Sequence, residues 1–152
     1  MICQTKYHGD IEYSDDALIR FAAGLPGFEE ETAFLPIEMP AARPIVFLQS
    51  VLQPDLCFVT LPVLVVSPEY KLSLLPSDLE ALGLAPDRQP RLGDDVLCLA
   101  ILTIQENGPT TANLLAPVVM NLQTRQAVQA ICPDGGYTHQ QPFLTPAAEP
   151  VC

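Results

Sequence analysis

The chain reads as all-β: a small antiparallel barrel-like or sandwich domain with one short helix. Three observations carry that expectation. Its apolar residues fall in short runs rich in Val, Ile, Leu and Phe, at 45–48, 56–66, 96–104 and 114–120. Each run is bounded by Pro, Gly, Asn or Asp, which is how strands between turns look. Sixteen prolines, spread from Pro26 to Pro150, exclude long helices, because an internal proline costs a helix about 3 kcal/mol or more. The one legible helix spans 77–82, where Ser77 and Glu80 have the form of a capping box and Gly83 supplies a stop.

The elements follow in order. The opening segment, 5–13, has a β-type pattern in which Asp10 and Glu12 share one face of a strand, because side chains alternate with period two. Gly24, Leu25, Pro26 and Gly27 make a turn, with Pro leading and Gly taking positive φ. Pro62, inside the run 56–66, suggests an edge strand or a bulge there. Turns are expected at 93–95, at 106–109 and at 123–125. In the run 114–120, Asn113 and Pro117 interrupt a strand-like pattern. That predicts a strand irregularity, either at a partner-binding face or as an ordinary bulge on a core strand. A single domain is expected over 1–144, with a polar, Pro-rich tail at 145–152 that frays.

Charge narrows the function. Eighteen Asp and Glu against seven Lys and Arg give a formal charge of -11, which argues against direct binding to nucleic acid or to an anionic membrane surface. Eight of those acids lie between Asp10 and Glu38, where the only basic residue is Arg20. Such a concentration favours basic partners, although a solvated, solubilising face would look the same in sequence. The N-terminus lacks a basic region followed by an apolar core, so a cytoplasmic protein is expected. Between Asp95 and Arg125 only Glu106 is charged, but Gly108, Pro109, Asn113 and Pro117 break the apolar runs short of a membrane span.

Catalytic chemistry has little to rest on. Five cysteines, none in C-x-x-C spacing, point to neither a zinc site nor a redox motif, and no metal or cofactor is expected. Cys57 and Cys98 lie in apolar runs, where a thiol behaves as a small hydrophobe. His8 and His139 stand in no nucleophile or metal pattern. Asp10 with Glu12 leaves an acidic hydrolase as an alternative, because a carboxylate pair is the minimum that glycoside hydrolysis needs.

Binding features are stronger. Tyr7 and Tyr13 flank the acidic strand, and Phe21 and Phe28 bracket the Gly-Pro-Gly loop. Aromatic anchors beside a charged rim are how protein interfaces are built. Core packing is the plainer role, expected for Phe21 and Phe58 and equally open for Tyr7, Tyr13 and Phe28. The candidate partner-binding set is therefore Tyr7, Asp10, Glu12, Tyr13, Phe28, Glu29, Glu30, Glu31, Asn113 and Pro117, with Asp10, Glu12, Glu29, Glu30 and Glu31 as an acidic rim.

The order of motifs resembles the FliW family of flagellar assembly factors. The resemblance rests on TKYHGDIEY at 5–13, FAAGLPGFEE at 21–30, FLQSVLQPDLCFVTLPV at 47–63, LCLAILTI at 97–104 and TANLLAPVVMNLQTRQAVQAI at 111–131. GLPGF alone is weak; TKYHG, LQSVLQPDL and TANLLAP in order are specific. His8 departs from the pattern, standing where the family usually carries an aromatic. The resemblance implies a cytoplasmic, non-enzymatic and monomeric partner switch with a β-barrel-like fold. It would bind flagellin and the RNA-binding translational regulator CsrA, relieving repression of flagellin translation. A flagellin secretion chaperone with no regulatory role is the neighbouring reading, and it differs only in lacking CsrA binding.

Overall fold

The fold is described from a computed structural model, over residues 1–6, 8–22, 24–25, 27–104, 109–131 and 136–142. In chain order the strands are β1 (Ile2–Thr5), β2 (Gly9–Glu12), β3 (Ile19–Arg20), β4 (Ala33–Ile37), β5 (Val46–Ser50) and β6 (Cys57–Pro62). Two short helices follow, α1 (Val63–Val66) and α2 (Pro76–Ala81), then β7 (Val96–Thr103), β8 (Thr111–Ala112), β9 (Val118–Asn121), β10 (Ala127–Gln129) and β11 (Gln141–Pro142). Beyond α1, α2 and two 3-10 turns the described residues are strand or loop, so the all-β expectation holds.

One antiparallel path runs β10-β9-β7-β6-β5-β4-β3, and β8 extends β7 and pairs with β11. The path closes on itself. Arg20 forms a parallel bridge with Gln126, and the Arg20 N–H donates to the Arg125 carbonyl at 3.0 Å, bringing β3 against the entry to β10. This bridge covers part of the two edges, of β3 and of β10, that the path would otherwise leave open.

Side-chain alternation sorts the core into an interior and two outer layers. Phe34, Val46, Leu48, Leu99, Val118 and Met120 face inward with Ile19, Phe21 and Leu25. On the outside, Val96, Cys98 and Ala100 of β7 meet Val63, Tyr70, Leu74, Leu79 and Leu82, so the α1–α2 segment covers that face. The β1–β2 ribbon covers another, with Cys3 packed against Leu18, Leu35 and Ile37. A strand buried on both faces reads as a continuous apolar run, not an alternating one, which accounts for 96–104. His8 lies 4.6 Å from the Phe47 ring at an interplanar angle of 57°, so the imidazole fills an aromatic position by a tilted ring contact.

Three local expectations are corrected. The predicted helix starts at Pro76 with Leu75 as N-cap, and Ser77 makes no capping bond; Pro is favoured at the first helical position, where its missing N–H costs nothing. Its end is as expected: Gly83 at φ 71° allows a Schellman closure, with Gly83 N–H to Glu80 O at 3.0 Å and Leu84 N–H to Leu79 O at 2.9 Å. Pro62 marks neither an edge nor a bulge. It pairs with Leu99 as the last residue of an interior strand, and the chain then turns into α1, overriding the β preference of the Val-rich stretch. The interruption at Asn113 and Pro117 is a connection between β8 and β9, where Asn113 Oδ1 accepts from the Ala116 N–H at 2.9 Å. The turn at 106–109 and the tail at 145–152 lie largely or wholly outside the described residues.

Candidate binding surface

Three of the sequence motifs converge at one end of the barrel. Register sets this up: Phe34 at the start of β4 lies opposite Ser50 at the end of β5, and Cys57 at the start of β6 lies opposite Gln49. The acidic turn 24–31 and the loop 51–56 therefore leave the sheet side by side. The β1–β2 turn joins them through the Lys6 N–H, which donates to the Pro54 carbonyl at 2.8 Å.

The turn itself is tight. Phe28 N–H donates to Leu25 O at 2.7 Å with Gly27 at φ 84°, and Glu29 Oε2 accepts from the Gly27 N–H at 2.8 Å. Gly24 sits at φ 68°, and a Cβ there would lie 2.5 Å from the Glu29 carbonyl oxygen, so no larger residue fits without moving the backbone. Phe28 is 39% exposed and meets Phe58 edge-on at 5.6 Å. Beside this pair opens a cleft of about 240 Å³, with Leu25, Phe28, Phe58 and Ile101 among its apolar lining and Asn113, Gln129 and His139 among its polar lining. A separate cleft of about 170 Å³, lined by Leu84, Arg88, Asp94 and Asp95 among others, contains none of the predicted site residues.

The predicted residues separate into groups. Asp10 and Glu12 are exposed on β2, and Glu29 and Glu30 are exposed on the turn. Phe28 and Asn113, 85 positions apart in sequence, line the same cleft. Glu31 is not a rim charge. It is 4% exposed, accepting the Ser50 hydroxyl and the Gln53 Nε2 amide, the latter at 3.0 Å. Pro117 is buried, so its ring is not offered to a partner; its carbonyl accepts from the Ala130 N–H at 3.0 Å. Tyr13 is half-buried against the outer layer formed by Cys3, Leu18, Leu35 and Ile37. Tyr7 lies outside the described residues.

Sequence reasoning gave no role to Gln49, Ser50, Gln53 or Leu52. Gln49 is fully buried, and its Nε2 lies 3.0 Å from the Ser50 carbonyl and 3.2 Å from those of Gln53, Pro54 and Leu56. Polar residues closing an apolar run were the available signal, since a buried amide must find hydrogen-bond partners. The hydrolase alternative loses its geometry: Asp10 and Glu12 are exposed on a two-stranded ribbon and line neither cleft. Cys57 is half-buried and its thiol is pushed up to about 11, first by burial and then by the nearby Cys3 thiol. Among the described residues no group of three or more His, Cys, Asp and Glu could hold a metal ion, and no helix is long and apolar enough to cross a membrane.

The fold and this end of it define a class: a small acidic β-barrel with an exposed, carboxylate-bearing surface built from loops at one end. Its relatives are specific. Residues 2–144 match the family model for the FliW protein. The flagellar assembly factor FliW of Bacillus licheniformis is 37% identical over 144 residues, covering 94% of this chain and 96% of that protein. That of Geobacillus thermodenitrificans is 39% identical over 136 residues, 88% of each. A crystal structure of the flagellar assembly factor FliW superposes with a TM-score of 0.82 at 34% identity, covering 95% of this chain and 98% of that one. The chain belongs to the FliW family, whose members are flagellar assembly factors and not enzymes.

Proposed function

We propose that this protein is a cytoplasmic, monomeric partner switch that binds flagellin and the translational regulator CsrA, relieving repression of flagellin translation while flagellin is scarce. The observation that carries this reading is the juxtaposition of Glu29 and Glu30, exposed on the turn, with the Phe28 cleft beside them. Exposed carboxylates steer a basic, RNA-binding protein toward the surface and disfavour RNA phosphates near it. A cleft with one apolar wall, Leu25, Phe28, Phe58 and Ile101, and one polar wall suits an amphipathic segment of flagellin, which charge alone would not hold. Asp10, Glu12, Glu29 and Glu30 act as the steering rim, and Phe28 and Asn113 as cleft contacts.

Titration calorimetry of the purified chain against purified CsrA and against purified flagellin tests the reading. Binding to both, with flagellin displacing CsrA, is the expected result. Binding to flagellin alone would leave a secretion chaperone without a regulatory role, and binding to neither would overturn the reading.

A further inference from the structure

The connection between β5 and β6 is longer than an antiparallel pair needs, since two residues suffice for a hairpin. It is nonetheless rigidly built. Gln49 fills its underside with an amide directed at four carbonyls. Ser50 Oγ accepts from the N–H groups of Leu52 at 3.2 Å and Gln53 at 3.1 Å, while its own proton goes to the buried Glu31 carboxylate. Gln53 Nε2 also reaches Glu31, and the Lys6 N–H holds Pro54 from the β1–β2 turn. The Gln49 Oε1 is buried without a hydrogen-bond partner, but its Nε2 and the Glu31 carboxylate are both bonded within the loop, and stripping a buried carboxylate of its donors is costly, so this bonding resists rearrangement.

What the rigid loop displays is Leu52, 66% exposed, with exposed Asp55 three residues on. Beside it the turn 27–31 exposes Glu29 and Glu30, and neither 27–31 nor 50–56 contains a Lys or Arg, so the exposed charges of the turn and the loop, Glu29, Glu30 and Asp55, are all negative. A second copy of this chain would bring like charges together, and its net charge of -11 opposes that.

We propose that Leu52 is the apolar anchor by which this end of the barrel docks a basic partner, entering an apolar hollow rimmed by Lys and Arg on an RNA-binding protein. A pre-organised loop lowers the ordering cost of docking, and an anchor enclosed by a charged rim is the common arrangement of protein interfaces. The inference rests on the reading that the protein binds CsrA, and it adds a site distinct from the Phe28 cleft.

The test is calorimetry of the full chain and its Leu52→Ala and Leu52→Lys variants against purified CsrA, with purified flagellin in parallel. Leu52 is exposed, so both variants should keep the wild-type circular dichroism spectrum and melting curve. Leu52→Ala should weaken CsrA binding about tenfold with an unchanged salt dependence, because the charge is the same, and Leu52→Lys should weaken it further. Hydrogen exchange in 50–56 should slow in the wild-type complex. Wild-type CsrA affinity in both variants would overturn the anchor while leaving the partner reading intact. A loss confined to flagellin would overturn the assignment to a basic partner, and failure of the wild type to bind CsrA would overturn the partner reading and the anchor with it.

Discussion

The guanidinium of Arg125 donates to the carbonyl oxygen of Ala17 at 2.8 Å, spanning 108 positions of chain, and its Nε reaches the Leu18 carbonyl at 3.2 Å. Arg125 is also the one described non-glycine residue at positive φ, 63°, closing the β9–β10 turn. The strained residue is thus the one whose side chain ties the barrel seam, where Arg20 meets Gln126. Arg125→Ala keeps the strain and loses both bonds, so it should destabilise by about 2–3 kcal/mol in urea unfolding. Arg125→Gly relieves the strain and should cost about 1 kcal/mol less. Wild-type stability in Arg125→Ala would show that the backbone, not the guanidinium, holds the seam, and equal losses in the two variants would show that the positive φ carries no strain.

Glu31 and Ser50 should behave as one unit. Glu31→Ala leaves the Ser50 hydroxyl and Gln53 amide without their acceptor and should cost about 1–3 kcal/mol. Glu31→Gln, which keeps an acceptor and the shape, should cost less. A double-mutant cycle with Ser50→Ala should give a coupling of about 0.5–3 kcal/mol, with faster hydrogen exchange across 50–56. Additive losses would show that the two are not partners.

Gly24→Ala meets two obstacles together: a Cβ 2.5 Å from the Glu29 carbonyl and a backbone in the left-handed region. The second alone costs about 1–2 kcal/mol. The total should exceed about 2 kcal/mol by chemical denaturation, and surviving protein should bind both partners less tightly because Phe28, Glu29 and Glu30 move with the turn. A variant of wild-type stability would mean that the turn relaxes freely.

The rim acids should act collectively. Neutralising Asp10, Glu12, Glu29 or Glu30 singly to Asn or Gln should weaken CsrA binding by no more than about fivefold, with losses accumulating in the quadruple variant. Wild-type association should slow as salt rises from about 50 to 500 mM, which shortens the Debye length from roughly 14 to 4 Å. An all-or-none loss from one substitution would point to a specific carboxylate contact in place of a distributed field.

Cys57 should be a poor nucleophile. With its thiol at about 11, alkylation by iodoacetamide at pH 8 should run on the order of a hundredfold slower than for an unperturbed thiol and rise about tenfold per pH unit toward that value. Because the folded value lies above the 9.0 of a free thiol, the stability this thiol contributes is present below pH 9 and is lost as pH rises from 9 toward 11. Fast labelling at pH 8 in the folded protein would contradict the burial that raises it.

Some of this was readable from residues in order, and some was not. The run 96–104 declared a strand because β7 is buried on both faces, and GLPGF declared a turn because positive φ selects glycine; both are local properties. Composition set the sign of the surface, because net charge does not depend on fold. Glu29, Glu30 and Glu31 are locally indistinguishable, yet two stand in solvent and the third lies against Ser50, because the β4–β5 register brings the end of the turn onto the end of β5. The same register turns an apolar run punctuated by Gln49 and Gln53 into a pinned loop displaying Leu52. Pairing of β6 with β7, and of Asn113 with Ile101, brings Phe28 and Asn113 to one cleft through Phe58 and Ile101, and Pro117 is buried. Sequence by itself determined the strands, their turns and the charge, since these follow from properties of neighbouring residues. Which carboxylate is buried and which apolar side chain is offered was decided only by pairing between distant strands, because burial is a property of the whole packed chain.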